Sequence, residues 1–173
     1  MNDPSSPSPD ERPPRIWVDA DACPRPIKEV LYKAADRRKI DVIFVSNHFI
    51  NLPSSPRIKG WTVGKGQDVA DQYIVSKALP QDLIITQDIP LASDLVEKGC
   101  TVINLRGTEY TPNTIGQRLS IRNAMEELRE SGVMTGGPPP FGAKAKQAFS
   151  NQFDRVLTRI LNRAKRQAVK KKS

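Results

Sequence analysis

The sequence predicts an α/β protein: a three-layer α/β/α sandwich around a parallel sheet, with helices closing its C-terminal end. Three observations predict it. Short apolar runs at 15–20, 41–46, 82–87 and 100–105 have the pattern of strands buried in a parallel sheet. Helical segments stand between the runs, which gives a β–α alternation with helices on both faces. Aspartates stand where these strands end and helices open, and the carboxyl edge of an open α/β sheet is where ligands bind.

Residues 1–14 combine five prolines with Asp3, Asp10 and Glu11 and hold no apolar run. They read as a disordered tail, too polar to offset the entropy of ordering, and not as a signal peptide. A single domain then spans 15–165, and 166–173 is a basic tail. The first strand, 15–20, is apolar on both faces. Pro24 and Pro26 suit a first helical turn, where a missing N–H costs nothing. Ile27, Val30, Leu31 and Ala34 carry that helix to about Arg38 at helical spacing. Asp41-Val42-Ile43-Phe44-Val45-Ser46 is a second buried strand. Asn, Ser and Pro make 47–56 a loop. A short strand of alternating character at 58–63 reaches Gly64 and Gly66, and a helix over 68–79 stops at Pro80. Strand 82–87, helix 90–98 with Gly99 behind it, and strand 100–105 complete the alternation. Another helix starts at Asn113 or Thr114 and runs to about Glu130, followed by a stiff connector, Gly136-Gly137-Pro138-Pro139-Pro140. Over 143–168 Phe149, Phe153, Val156, Leu157, Ile160, Leu161 and Ala164 share one face, so the last helix docks on the body.

Asp19 and Asp21 alternate by two, which on a continuing strand sets them on one face. Asp68 and Asp71 are three apart and neighbours on a helix. Asp88 follows the strand at 82–87. Each has a plain structural reading too: Asp68 and Asp88 as helix caps, Asp71 as a first-turn acid that complements the helix dipole. Caps explain these positions but not the convergence of three sets at one sheet edge. Two carboxylates ~4 Å apart repel by about 4 kcal/mol at an effective dielectric of ~20. Such a cluster protonates, spreads apart or binds a cation, and oxygen donors select Mg²⁺ or Mn²⁺. Thr86 is placed to hydrogen-bond a carboxylate or a phosphate, Lys65 to reach a phosphate, and Asn47 to contact a substrate.

No stretch approaches the ~18 consecutive apolar residues of a membrane span. His48 is the only histidine beside Cys23 and Cys100, too few ligands for a structural zinc site. The cysteine usage points to a reducing, cytoplasmic setting. Cys23 reads as a small buried residue and His48 as a surface one. Residues 141–173 hold ten Lys/Arg and one acid, a charge of +9, while the other 140 residues sum to −1. Two readings stand for that asymmetry: a polyanionic partner such as nucleic acid, or a solubilising tail. Arg155, Arg159 and Arg163 recur every four residues opposite the apolar stripe, and no acid follows Asp154. Arg118 and Arg122 add cations on the helix at 114–130.

Four stretches carry a resemblance to the YaiI/YqxD family of bacterial proteins. They are Val18-Asp19-Ala20-Asp21-Ala22-Cys23-Pro24, Gly66-Gln67-Asp68-Val69-Ala70-Asp71, Thr86-Gln87-Asp88-Ile89-Pro90-Leu91-Ala92 and Gly136-Gly137-Pro138-Pro139-Pro140-Phe141. The likeness covers about residues 15–165. More distantly, by short motifs and β–α order, the chain resembles the PIN-domain nucleases. That likeness implies one or two Mg²⁺ or Mn²⁺ ions held by acids after the first strand, in a middle helix and after a later strand. Carried over by motif, Asp19, Asp71 and Asp88 are the metal-binding catalytic acids, with Asp21 and Asp68 as supporting ligands. Asp94 matches no acid of that pattern. Ala145-Lys146 stands where an Asp-Arg pair is expected.

The resemblance implies in-line phosphodiester hydrolysis by a metal-dependent nuclease, foremost a ribonuclease, with RNA as partner. Two rivals belong to other classes: a non-catalytic RNA-binding protein with a vestigial acidic metal site, and a small-molecule phosphatase of the dehalogenase type. The second needs a Thr or Val where Cys23 stands, and a late acidic pair that is missing. Gly64-Lys65-Gly66 lacks the spacing of a phosphate-binding loop.

Overall fold

A computed structural model describes residues 12–66, 68–132 and 141–172. The expectations for residues 1–11 of the tail, for Gln67, for the connector at 136–140 and for Ser173 lie outside the described residues. Among the described residues, six strands form one sheet in the order β3-β2-β1-β4-β5-β6. They are β1 (Arg15–Asp19), β2 (Asp41–Ser46), β3 (Ile58–Thr62), β4 (Leu83–Ile85), β5 (Thr101–Ile103) and β6 (Glu109–Tyr110). The first five pair in parallel, and β6 pairs antiparallel to β5. The parallel sheet expected from the sequence is borne out, with one short antiparallel strand added at its edge. Residues 109 and 110 are too few to show any periodicity. They are turned back onto β5 by Gly107 at φ 85° and by Asn104, whose Oδ1 accepts from the N–H groups of Arg106 and Thr108 at 2.9 Å each.

Among the described residues, five helices complete the layers: α1 (Arg25–Arg38), α2 (Val69–Lys77), α3 (Ile89–Glu97), α4 (Pro112–Glu130) and α5 (Ala143–Lys172). On one face of the sheet Ile16, Val18 and Phe44 pack with Ile27, Leu31 and Ala35 of α1 and Phe149, Phe153, Val156 and Leu157 of α5. On the other, Trp17, Ile84 and Val102 pack with Ala70 and Ile74 of α2, Leu91 and Leu95 of α3, and Ile115 of α4. Strand residues alternate between the two cores, which is why the central runs are apolar throughout. Each large side chain so buried stabilises the fold by roughly 1.5–3 kcal/mol.

Several boundaries differ from expectation. The strand expected at 15–20 ends at Asp19, and a 3-10 turn, Ala20–Ala22, follows. The runs at 82–87 and 100–105 shrink to three-residue strands. The helix expected over 68–79 is Val69–Lys77. Helix α4 opens slightly earlier than expected, at Pro112, because Thr111 and Thr114 form a reciprocal capping box. At the sheet's amino edge Asp82, absent from the sequence reading, is fully buried. Its oxygens take the Arg12 guanidinium at 2.7 and 3.0 Å, Trp17 Nε1 at 2.9 Å, and the N–H groups of Arg15 and Leu79 at 2.9 and 2.8 Å. The end of the expected disordered tail is therefore anchored: Arg12 is pinned and Pro14 buried.

Two features of the topology place the functional edge. From β1 the chain winds outward through β2 and β3, and α2 then carries it back across to β4 on the other side of β1. The sheet order reverses between β1 and β4, which opens a crevice at their carboxyl ends. Helix α5 runs alongside α1 in the same direction. Lys146 Nζ lies 4.0 Å from Glu29, and further along α5, Asp154 and Thr158 bond Arg38 at the end of α1. Since α1 leaves the carboxyl edge and finishes at the amino edge, the last turns of α5 extend past the edge opposite the acids.

Candidate active site

The crevice between β1 and β4 collects the acids. Asp19 is the last residue of β1, and its Oδ2 accepts from Thr86 Oγ1 at 3.0 Å. Thr86, directly after β4, is 1% exposed. The same hydroxyl oxygen accepts from the Asp88 N–H at 3.0 Å. One buried side chain thus ties the exit of β1 to the exit of β4. Asp88 caps α3, its Oδ1 accepting from the Leu91 N–H at 2.9 Å. In the first turn of α2, Asp71 faces the same crevice, close enough to Asp88 for each charge to act on the other. Asp19, Asp71 and Asp88 therefore share one edge of the sheet, within electrostatic reach of one another.

Their electrostatics show the crowding. The Asp19 carboxyl is pushed up by burial, partly offset by the Thr86 bond, and raised further by Asp88 and Asp21. Asp71 is pushed up to about 7 by burial and by the charges of Asp88, Asp19 and Asp68. Neutral below that pH, it can donate its proton to Asp88, the arrangement two close carboxylates adopt without a counter-charge. Asp68 stands at the N-terminus of α2 with φ 70°, in the left-handed region, and its side chain caps nothing. The capping reading holds for Asp88 and fails for Asp68.

A cleft beside this cluster is lined by Asp68, Asp71, Gln72, Asp88, Asp94 and Arg122 among others. Asp94, which motif matching passes over, belongs to it. It stands four and three residues past Pro90 and Leu91, which line the same cleft, so helical spacing was the signal that could have found it. Arg122 reaches the cleft from α4 while its Nη1 lies 3.1 Å from Glu126. Arg118 is one turn earlier on α4 and exposed.

Asp21 departs from expectation. It lies in the 3-10 turn, where strand alternation no longer applies, so it does not share a strand face with Asp19. Its Oδ2 accepts from the Asn47 N–H at 2.9 Å, and its Oδ1 is 3.6 Å from His48 Nδ1. Asn47 Oδ1 is a buried acceptor with no hydrogen-bond partner among the described residues. His48 is exposed, as expected. Lys65 is exposed in the loop before α2. Cys23 is buried, and desolvation pushes its thiol up to about 12, which bars it from thiolate chemistry at neutral pH.

The cations of α5 are not brought to the acids. Arg159 Nη2 is held by both carboxylate oxygens of Glu109, at 2.8 and 2.9 Å. Arg155 is exposed beside the α1–α5 groove, and Arg163 is exposed two turns further along α5. Among the described residues, no three Asp, Glu, His or Cys side chains are gathered closely enough to hold a metal ion as they stand. The donor chemistry suits a hard divalent cation, since every acid at the cluster offers oxygen. No described helix is long and apolar enough to cross a membrane.

Comparison with known proteins identifies the family. A family model described as "Uncharacterized BCR, YaiI/YqxD family" matches residues 17–159. A UPF0178 protein of Shewanella sp. (strain ANA-3) is 51% identical over 146 residues, covering 84% of this chain and 97% of the relative. One of Maridesulfovibrio salexigens is 53% identical over 149 residues, covering 86% and 99%. Another, of Desulfotalea psychrophila, is 55% identical over 146 residues, covering 84% and 99%. No solved structure matches the chain.

Proposed function

The chain belongs to the YaiI/YqxD family, and from that premise we propose that it is a cytoplasmic, metal-dependent phosphodiesterase, a nuclease acting foremost on RNA. The observation that carries this reading is that Asp19, Asp71 and Asp88 line one edge of the sheet at its switch point, within electrostatic reach of one another, with Asp71 driven to about 7. Burial and the charges of Asp88, Asp19 and Asp68 together disfavour the ionised carboxylate, and a divalent cation relieves both. Asp19, Asp71 and Asp88 would hold Mg²⁺ or Mn²⁺, with Asp68 at the rim. When bound, such an ion neutralises charge on a phosphodiester and lowers the pKa of an attacking water.

The chain's own groups do the rest. Thr86 Oγ1 fixes the orientation of Asp19 and, through the Asp88 N–H, the start of α3. Arg122 presents a guanidinium at the cleft to an anionic substrate, and Lys65 and Asn47 flank the same edge. No nucleophilic side chain is needed, in keeping with a buried Cys23 thiol held up near 12. The likeness to PIN-domain nucleases supports the same assignment of acids.

A second reading, an RNA-binding protein without cleavage, is favoured by one observation: the carboxylates are not gathered into a three-donor group among the described residues. The dehalogenase-type phosphatase finds less support, because Asp21, its general acid, is turned to Asn47 and His48. Incubating the protein with end-labelled RNA and DNA in Mg²⁺, Mn²⁺ and EDTA separates these readings. Cleavage that needs a metal and is lost in Asp71→Asn and Asp88→Asn supports the nuclease. Binding of RNA with no cleavage in either metal overturns it in favour of the second reading.

A further inference from the structure

Beside the acids, on the other flank of β1, lies a groove that the phosphodiesterase reading leaves unused. One wall is α1, with Arg25, Lys28 and Tyr32; the other is the loop after β2, with Phe49, Ile50 and Leu52. Both walls start at the carboxyl edge, since α1 follows Asp19 by one short turn and the loop leaves the end of β2.

Phe49 is the singular feature. Its side chain is 85% exposed, the most exposed large apolar residue among those described. A lone exposed apolar side chain on a loose loop needs no explanation. This loop is not loose. The Asn47 N–H is held by Asp21, the Ser46 hydroxyl donates to the His48 carbonyl, and Ile50 and Leu52 pack against the core. The segment is pinned on both sides of Phe49, and only the aromatic ring is turned outward. Across the groove Tyr32 is fixed by an edge-on contact with Phe44, ring centroids 5.5 Å apart. Arg25, 90% exposed, makes only a loose 3.6 Å pair with Glu29, and Lys28 lies one turn from it on the same helix.

We propose that this groove is a subsite for single-stranded nucleic acid, in which an unpaired base stacks on Phe49 while Arg25 and Lys28 take the neighbouring phosphates. An exposed, pre-positioned ring flanked by cations is the device by which proteins hold single strands without reading sequence. A duplex keeps its bases stacked on one another and offers no ring face to Phe49. The strand would then reach the acids by way of Asn47 and Asp21, which join the groove to the carboxylate edge. The choice of nucleic acid as occupant rests on the phosphodiesterase reading, but the groove is tested apart from cleavage.

The test is a binding titration in EDTA, where no metal-dependent cleavage occurs. A fluorescein-labelled 12-nucleotide RNA is followed by anisotropy, and a second strand carrying 2-aminopurine reports stacking by its quenching. Phe49→Ala is expected to weaken binding roughly 5- to 150-fold, the range for removal of one aromatic–base stack, and to abolish the quenching. Phe49→Trp is expected to restore both. Arg25→Ala with Lys28→Ala should make the log affinity against log salt slope shallower by about 1.4, at ~0.7 per phosphate. Because the Phe49 ring lies outside the core, Phe49→Ala should melt at the wild-type temperature. Equal affinity and quenching for Phe49→Ala overturn the subsite whether or not the protein cleaves RNA. So does failure of the wild type to bind single-stranded RNA or DNA, which would leave the groove to a protein partner. A Phe49-dependent affinity in a protein that never cleaves would sink the nuclease reading and leave the subsite standing.

Discussion

Replacing Asp71 by Asn tests the carboxylate cluster through stability, without reference to any substrate. The Asp71 carboxyl titrates at 3.8 when unperturbed and at about 7 in the fold. Its charged form is disfavoured by folding, so the contribution of Asp71 is fully present below pH ~4 and is lost as pH rises through about 7. Converted directly, that gap is worth about 4 kcal/mol. Asp71 is only half-buried, and solvent screening reduces the usable figure to ~1–2 kcal/mol. At pH 8 in EDTA, Asp71→Asn removes the repelled charge and leaves an amide N–H for Asp88. It should therefore melt roughly 2–8 °C above the wild type, at about 2–4 °C per kcal/mol for a domain of this size. At pH 4, where the wild-type carboxyl is already neutral, the difference should vanish. Saturating Mn²⁺ should reverse the order at pH 8: the wild type gains ~2.7 kcal/mol at a hundredfold excess over Kd, and the variant gains little. The assay is differential scanning fluorimetry at both pH values, with and without Mn²⁺. An Asn variant less stable than the wild type at pH 8 in EDTA, or one stabilised by Mn²⁺ as strongly as the wild type, refutes the reasoning.

Three further outcomes follow from the same geometry. Thr86→Val removes the hydroxyl that ties Asp19 to the Asp88 N–H and should weaken Mn²⁺ binding by roughly 10- to 100-fold; an unchanged calorimetric titration would show the bridge to be idle. Asp82→Ala strips the acceptor from Arg12, Trp17 and two backbone N–H groups and should destabilise by about 3–5 kcal/mol, while Mn²⁺ affinity, set at the other edge, stays the same. Truncation after Ala164 removes the part of α5 beyond its buried stripe, so melting should be unaffected while RNA affinity drops and its salt slope flattens by ~0.7 for each phosphate no longer neutralised; an unchanged slope would make that segment a solubilising tail.

The sequence by itself determined the layers and most of the elements. Long apolar runs such as 41–46 and the stripe from Phe149 to Ile160 announce burial, because the hydrophobic effect acts on side-chain pattern and needs no knowledge of partners. It also determined the candidate acids, since Asp19, Asp71 and Asp88 stand at element ends whatever their neighbours. Short and unpatterned pieces were illegible: two residues of β6 carry no period, and Asp21 reads as a strand residue until the 3-10 turn redirects it. Relations across the chain belong to tertiary structure alone. Which strand lies beside β1 sets the switch point, and with it the meeting of Asp71 with Asp88 and the place of Thr86 between two strand exits. The same holds for Asp94 in the cleft, Asp82 sealed among its donors, Arg159 held by Glu109, and the basic end of α5 carried past the far edge. Each depends on distances between segments far apart in the chain. A local pattern fixes which face of an element is buried, but only the packing of all elements fixes what that face meets.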